Sequence, residues 1–406
     1  MYVHKKAAYL KILHILGSGR LVRNPDAGAL SGVVRTALEV AKRQAALGHT
    51  VYVVGFGGDS WTGEWSGVKL VSLKESAWLR IRFAGRQLDF SRHIPLVLYT
   101  LSTTFDVVHT HMHPYLRWIR GRLKVAHMHI DPLSDASGAQ LAYRRVGLKQ
   151  LARQADVVVA VSRFVQETMR EDIPANQIRV VYNGGGVAPE QWEAAQRSRQ
   201  ANRARLKIAP DAVVVLYVGA FVPAKGVHHL AHSFVALSDV YPEAHLALAG
   251  GEGLWKSNGL NSVKVEGYTG ELQVALASLP GRIHFLGLVA SSNMAETYAL
   301  ADIVVMPSVC REAFGIAALE GMSCGLPVIA SASGGLLELV GDDRGLLVPP
   351  GDEQALSAAM MDLVGDPEMR RTLGERGRKY AGQAQFSWDR AAEELLDLYS
   401  EYLGGS

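Results

Sequence analysis

The chain has 406 residues, 48% of them hydrophobic and 20% charged, with a formal net charge of +3. That composition is ordinary for a soluble globular protein, and the length exceeds what one core accommodates, which predicts two domains. No apolar run approaches the roughly 20 residues needed to cross a bilayer. Two cysteines, Cys310 and Cys324, exclude a disulfide framework and make a reducing cytoplasm the expected location.

In chain order, MYVHKKAAYLKILHIL opens on lysines, but Lys11 and His14 interrupt its apolar part, so it reads as a first strand and not a signal peptide. KILHIL (11–16), TVYVVGF (50–56), DVVHTH (106–111), LKVAHMH (123–129), DVVVAVS (156–162) and IRVVY (178–182) read as buried strands. Helical stretches such as VVRTALEVAKRQAAL (33–47) lie between them, a pattern that predicts a parallel sheet covered on both faces. The polar, helix-prone segment 190–208 reads as the passage between domains. A second series of strands follows: AVVVLYVG (212–219), AHLALAG (244–250), RIHFLG (282–287), DIVVMPS (302–308) and LPVIAS (326–331). Residues 252–279 read as a surface excursion, and WDRAAEELLDLYSEYL (388–403) as an amphipathic helix. The fold class expected is α/β, with two doubly wound domains, 1–190 and 205–385, whose strand ends face a cleft.

Charge is uneven along the chain. Residues 1–190 carry 25 Lys and Arg against 14 Asp and Glu, and the remainder 17 against 25. A basic half suits anionic substrates, an anionic membrane surface, or ordinary solvated faces equally well.

Five features carry chemistry. In REAFGIAALEGMSC (311–324), Glu312 precedes a predicted helix starting near Phe314 and Glu320 lies inside it. The free N–H groups of such a helix start suit a phosphate, and carboxylates suit paired sugar hydroxyls. Spacing alone leaves open a plain N-terminal charge and a solvated helix residue. Lys225, in GAFVPAKGV after a strand, can neutralise phosphate oxygens or simply face solvent. Ser31 and Gly32 open the first helix, where a backbone can approach a ligand closely. Gly17-Ser18-Gly19 lacks the third glycine of a dinucleotide fingerprint, since Val22 stands there, so a nicotinamide oxidoreductase is poorly supported. His109, His111 and His113 alternate, as do His127 and His129. Alternate strand residues share a face, so these rings are candidates for a metal, for cleft lining, or for packing. Finally, residues 76–95 are basic and aromatic, with Trp78, Arg80, Arg82, Phe83, Arg86 and Arg92. They read as a membrane-surface helix, an acceptor-binding face, or an ordinary amphipathic helix.

Taken together, the residues resemble the retaining glycosyltransferases of family four, which have the GT-B fold. The resemblance rests on REAFGIAALEGMSCGLPVIASASGGLLELV (311–340), an E-x7-E signature followed by Gly-Gly-x-x-Glu, with PAKGV, ADVVVAVS, VVYNG, HFLGLV and FSWDRAAEELLDLY in family order. It implies transfer of a sugar, of hexosyltransferase type, from a nucleotide diphosphate-sugar to an acceptor hydroxyl with retained configuration. It implies that Lys225 contacts the donor diphosphate and Glu320 the ribose, and that Glu312, with the backbone at Phe314 and Gly315, holds the sugar. Gly32 corresponds to the loop that closes on the donor phosphates, and His129 to the cleft histidine near sugar and acceptor. The C-terminal helix, about 386–406, is implied to cross back to the first domain. No metal and no nucleic-acid partner is expected; the acceptor is a sugar, glycolipid or small molecule. A cytoplasmic enzyme touching the inner membrane face through 76–95 is the expected setting. Two departures stand out: Gly219-Ala220 where the family often has Gly-Arg, and Gly185-Gly186 where Val-Asp is frequent. The competing readings are a metal-dependent hydrolase built on the H-x-H strands and a nucleotide-sugar-binding protein without catalysis.

Overall fold

A computed structural model describes residues 9–17, 21–75, 80–83, 86–89, 91–112, 116–134, 136–252, 254, 267–341 and 343–404. Contacts divide the chain into two compact units. One comprises residues up to Pro25, Ser31–Tyr182 and Trp388 onward; the other comprises Asp26–Leu30 and Asn183–Ser387.

The first unit holds β1 (Lys11–Leu16), β2 (Thr50–Gly57), β3 (Trp61–Trp65), β4 (Val68–Lys74), β5 (Arg80–Phe83), β6 (Arg86–Asp89), β7 (Val107–His111), β8 (Leu123–Met128), β9 (Val157–Ala160) and β10 (Ile178–Val180). Eight of them form one sheet in the order β10-β9-β8-β7-β1-β2-β4-β3, parallel except where β3 runs against β4. Ile12, Leu13, Val107, Val125 and Val157 have no solvent exposure, as β-branched and leucine side chains sandwiched between helical layers should not. The helix Gly32–Ala46 turns Val33, Ala37, Val40, Ala41 and Gln44 inward. The helix Trp388–Gly404 buries Trp388, Ala391, Leu395 and Tyr399 at the spacing of one helical stripe.

The basic segment departs from its helical reading. β5 and β6 pair antiparallel as a separate two-stranded sheet, and the helix His93–Ser102 follows. Trp78 lies outside the described residues, as do the side chains of Arg80, Arg82, Phe83 and Arg86. Arg92 is fastened inward, with Nε 2.8 Å from Glu75 Oε1 and Nη1 donating to the Gly17 carbonyl.

The second unit holds β11 (Val214–Gly219), β12 (His245–Gly250), β13 (Ile283–Gly287), β14 (Ile303–Met306), β15 (Val328–Ser331) and β16 (Leu346–Val348). They form a fully parallel sheet in the order β13-β12-β11-β14-β15-β16. Its core packs Val215, Tyr217, Phe234, Leu248, Val305 and Met360. The stretch read as a passage between domains is part of this unit. The helix Pro189–Arg205 places Arg199 and Arg203 on the two oxygens of Asp302, each at 2.6 Å, and Arg203 is almost fully buried with its remaining donors on carbonyls. Of the excursion expected at 252–279, residues 253 and 255–266 lie outside the described residues, and Tyr268–Ala275 within it is a helix.

Candidate active site

In a doubly wound sheet, ligands bind beyond the strand ends where the strand order reverses. In the second unit that point lies between β11 and β14, and the loops after these strands carry Lys225 and Glu312. Lys225 ends a single 3-10 turn, Pro223–Lys225, and Gly226 follows with φ +67°. A Cβ at Gly226 would sit 1.9 Å from the Pro307 carbonyl oxygen, so only glycine allows the two loops to touch. They are stitched together there, since the N–H groups of Val309 and Cys310 both donate to the Ala224 carbonyl at 3.1 and 3.0 Å. Lys225 Nζ therefore lies 2.5 Å from Glu312 Oε1, and Ser308 Oγ donates to the same oxygen at 2.5 Å.

Burial alone would raise the Glu312 carboxyl, but the Lys225 ammonium and the two hydrogen bonds outweigh it and hold its pKa below the ordinary value. Burial likewise works against the Lys225 charge, and Glu312 reverses that, leaving the ammonium more firmly protonated than usual. The pair is ionised at neutral pH.

The segment after Glu312 is clamped from behind. Gly335 N–H donates to the Glu312 carbonyl at 2.7 Å, and Cβ atoms on Gly334 or Gly335 would lie 2.2 Å from Glu312 O or 2.4 Å from Ala313 O. The helix expected near Phe314 starts two residues later, as Ile316–Ser323, because Gly315 adopts φ +102° and breaks the run. Phe314 is buried, its ring 6.2 Å from that of Phe386. Glu320 is only 2% exposed and accepts from Tyr298 Oη at 2.9 Å, so it is not a solvated helix residue. Ser308 and Tyr298 were missed in the sequence. Ser308 ends the strand run DIVVMPS, a strand-end position that was the available signal.

Gly32 and His129 belong to the first unit. Gly32 is the exposed first residue of the helix Gly32–Ala46. Ser31 precedes it in extended conformation without a side-chain cap on the helix. His129 follows β8 and is one of five histidines that, among the described residues, share one face of adjacent strands. Register pairs His14 with His109 and His111 with His127. The rings are hydrogen-bonded to one another: His14 Nδ1 to His111 Nε2 at 2.9 Å, His111 Nδ1 to His129 Nε2 at 2.8 Å, and His109 Nε2 to His127 Nδ1 at 3.1 Å. Burial pushes His14 down to about 4 and His129 to about 3, and in His109, His111 and His127 burial and the neighbouring rings act together in the same direction. His113 lies outside the described residues.

Comparison with known proteins bears on both units. Residues 30–185 match the family model described as Glycosyltransferase Family 4, and residues 198–380 the model described as Glycosyl transferases group 1. The D-inositol 3-phosphate glycosyltransferase of Kineococcus radiotolerans is 30% identical over 325 residues, 73% of this chain and 71% of that protein. The chain belongs to glycosyltransferase family 4.

Other relatives agree. The D-inositol 3-phosphate glycosyltransferase of Streptomyces bingchenggensis is 29% identical over 321 residues, 74% of this chain and 68% of that protein. Two solved structures share the fold. Anabaena HepE in complex with UDP and glucose has a TM-score of 0.73 at 22% identity, covering 97% of this chain and all of its own. Sucrose-phosphate synthase from Thermosynechococcus elongatus has a TM-score of 0.71 at 23% identity, covering 98% of this chain and all of its own. The architecture is GT-B.

For a family-four glycosyltransferase the two departures acquire physical reasons. Ala220 is buried with Val222, and its carbonyl accepts from the buried Tyr217 Oη at 2.8 Å, so the position is part of a small apolar cluster. A Cβ on Gly185 would lie 2.5 Å from Leu319 Cδ2, and Gly186 at φ +99° lets Val187 N–H reach Ser323 Oγ at 3.1 Å. The glycine pair is thus fitted against Leu319 and Ser323 on the helix that carries Glu320. The metal-hydrolase reading has less support. Three ring nitrogens of His14, His109 and His111, or of His111, His127 and His129, lie within 4.8 Å of one another. Within each group rings already hydrogen-bond one another, and neither group includes a carboxylate to offset a dication's charge.

Proposed function

We propose that this glycosyltransferase moves a sugar, with retained anomeric configuration, from a nucleotide diphosphate-sugar to an acceptor hydroxyl. The observation that carries the reading is the Lys225–Glu312 pair at 2.5 Å, on the two loops that flank the switch point. A bound diphosphate would take over the Lys225 ammonium, and the free N–H groups at the start of the helix Ile316–Ser323 would meet the same negative charge. The departing diphosphate gains charge as the bond from its oxygen to the anomeric carbon breaks. The acceptor oxygen bonds to that carbon on the same face, and its proton passes to the leaving phosphate oxygen. Glu312 then orients sugar hydroxyls together with the backbone at Phe314 and Gly315, and Glu320 binds the ribose hydroxyls. Gly32 gives the donor phosphates a close backbone approach, and His129 serves the acceptor side.

In this reading Glu312 is neither nucleophile nor proton donor, unlike the paired carboxylates of a retaining hydrolase. No metal is required, because Lys225 supplies the cation. The acceptor is a sugar-type hydroxyl, and the positive balance of residues 1–190 suits one that carries negative charge. We further propose a cytoplasmic setting with peripheral membrane contact. Supporting it, no helix among the described residues is long and apolar enough to cross a membrane, both cysteines are free, and Ile94, Leu98 and Leu101 are exposed on the helix after the basic segment.

The test is Lys225→Ala with the donor identified by mass spectrometry across a nucleotide-sugar panel. Turnover should fall by about 100-fold or more with circular dichroism unchanged. Wild-type-like turnover in the folded variant would refute the phosphate role, and an inverted product anomer by NMR would refute retention.

A further inference from the structure

We propose that Gln44, separated from His129 by two intervening rings, fixes which nitrogen of His129 carries its proton, acting through His14 and His111 as a positioning residue. Gln44 is fully buried on the inner stripe of the helix Gly32–Ala46, an unusual place for an amide unless it has partners. Its Oε1 lies 2.8 Å from His14 Nε2. His14 Nδ1 then meets His111 Nε2, and His111 Nδ1 meets His129 Nε2.

The direction of this line follows from proton counting. A neutral imidazole has one N–H and one lone pair. An amide oxygen can only accept, so His14 must donate from Nε2 and accept at Nδ1. His111 must therefore donate from Nε2 and accept at Nδ1, and His129 must do the same from Nε2. His129 is left with a bare lone pair on Nδ1, and among the described residues that atom has no hydrogen-bond partner. Turning the amide over would place its NH2 on His14 and reverse every proton in the line. His129 would then present an N–H, and a substrate hydroxyl that donates to it would find a donor instead.

The other end of the amide holds it in place. Gln44 Nε2 donates to Tyr399 Oη at 3.5 Å, and Tyr399 Oη is hydrogen-bonded to His109 Nδ1. Followed in the same sense, Tyr399 donates to His109 and His109 Nε2 donates to His127 Nδ1. The last proton stands on His127 Nε2, which is buried and lacks a hydrogen bond among the described residues. One amide thus directs two lines of rings, one ending in a buried N–H and the other in a lone pair at His129. Burial keeps the rings neutral, which the counting requires.

The inference rests on His129 serving the acceptor side, and the test separates the two claims. Ring 15N resonances of histidine-labelled wild-type protein should show His14, His111 and His129 each protonated at Nε2 and bare at Nδ1. A proton on Nδ1 of any of the three would overturn the proposal without recourse to a variant. Gln44→Glu keeps an accepting oxygen and should preserve both the pattern and turnover. Gln44→Leu removes it and should give mixed tautomers at His129, with kcat/KM lower by about tenfold, the worth of one hydrogen bond. An unchanged 15N pattern in folded Gln44→Leu would also overturn the relay. His129→Ala reports on the other claim: full activity there would refute the acceptor-side role and leave the tautomer result standing.

Discussion

Gly335→Ala is the sharpest perturbation of the segment that carries Glu312. Gly335 has φ −67° and ψ −14°, values any residue adopts, so the substitution introduces no backbone strain. Its effect is steric alone. The new Cβ would stand 2.4 Å from Ala313 O and 2.9 Å from Ala313 C and Phe314 Cα, whereas real Cβ contacts essentially never fall below 3.0 Å. The 312–314 backbone must retreat by about 0.6 Å, the difference between those two limits, and more to reach ordinary contact. That retreat stretches the bond from Gly335 N–H to Glu312 O and pulls on a carboxylate held at 2.5 Å by both Lys225 and Ser308. Overpacking of this kind costs about 1–3 kcal/mol, which for a unit of this size lowers Tm by roughly 2–12 °C. Misplacement by about 1 Å costs on the order of 100-fold in rate. The assay is donor consumption at saturating donor, alongside thermal unfolding. Gly334→Ala, with φ +60° and a contact of 2.2 Å, should be worse on both counts. If Gly335→Ala turns over within twofold of wild type, the clamp does not position Glu312 and the argument fails.

Two further outcomes follow from the geometry. Restoring the frequent family residue in Gly185→Val should destabilise by about 1–3 kcal/mol through Leu319, and Leu319→Ala in the same chain should recover part of it; strictly additive losses by thermal unfolding would contradict the contact. Acid should weaken the first unit. The folded pKa of His14, about 4, lies below its unfolded value of about 6.5, so its neutral form is favoured by folding. Stability is then complete above pH 6.5 and lost as pH falls toward 4, by about 1.4 kcal/mol per pH unit for that ring. A Tm that stays flat from pH 7 to 5 would show the cluster is not held neutral.

The central strands of each sheet were legible in the sequence because nothing competes with a Val/Ile/Leu run of that length, whereas β4, VKLVSLK, was missed because lysines and a serine interrupt its apolar residues. Lys11–Leu16 and Thr50–Gly57 begin where the sequence put them, and the C-terminal helix differs by one residue at its end. β3 was missed because WTGEW faces solvent and carries no burial signal. The basic segment misled in a different way. RIRF alternates charged and apolar residues, the period of a strand, but its arginine and aromatic content suggested a surface helix. In the site, Lys225 and Glu312 were each visible as chemistry, yet their contact depends on β11 lying beside β14 across 87 residues of chain, which local pattern does not encode. Gln44 did leave a trace. It falls four residues after Val40 and seven after Ala37, on the stripe that the helix period turns inward.

The stitching of the 223–226 turn to residues 307–310 has a consequence for how such an enzyme can diversify. On the assignments above, every side chain given to the donor diphosphate, ribose and sugar hydroxyls comes from one unit and is held by bonds internal to it. Side-chain recognition of the donor is then inherited as a cassette, and substitutions in the first unit away from the Gly32 helix start can explore new acceptors without renegotiating the nucleotide.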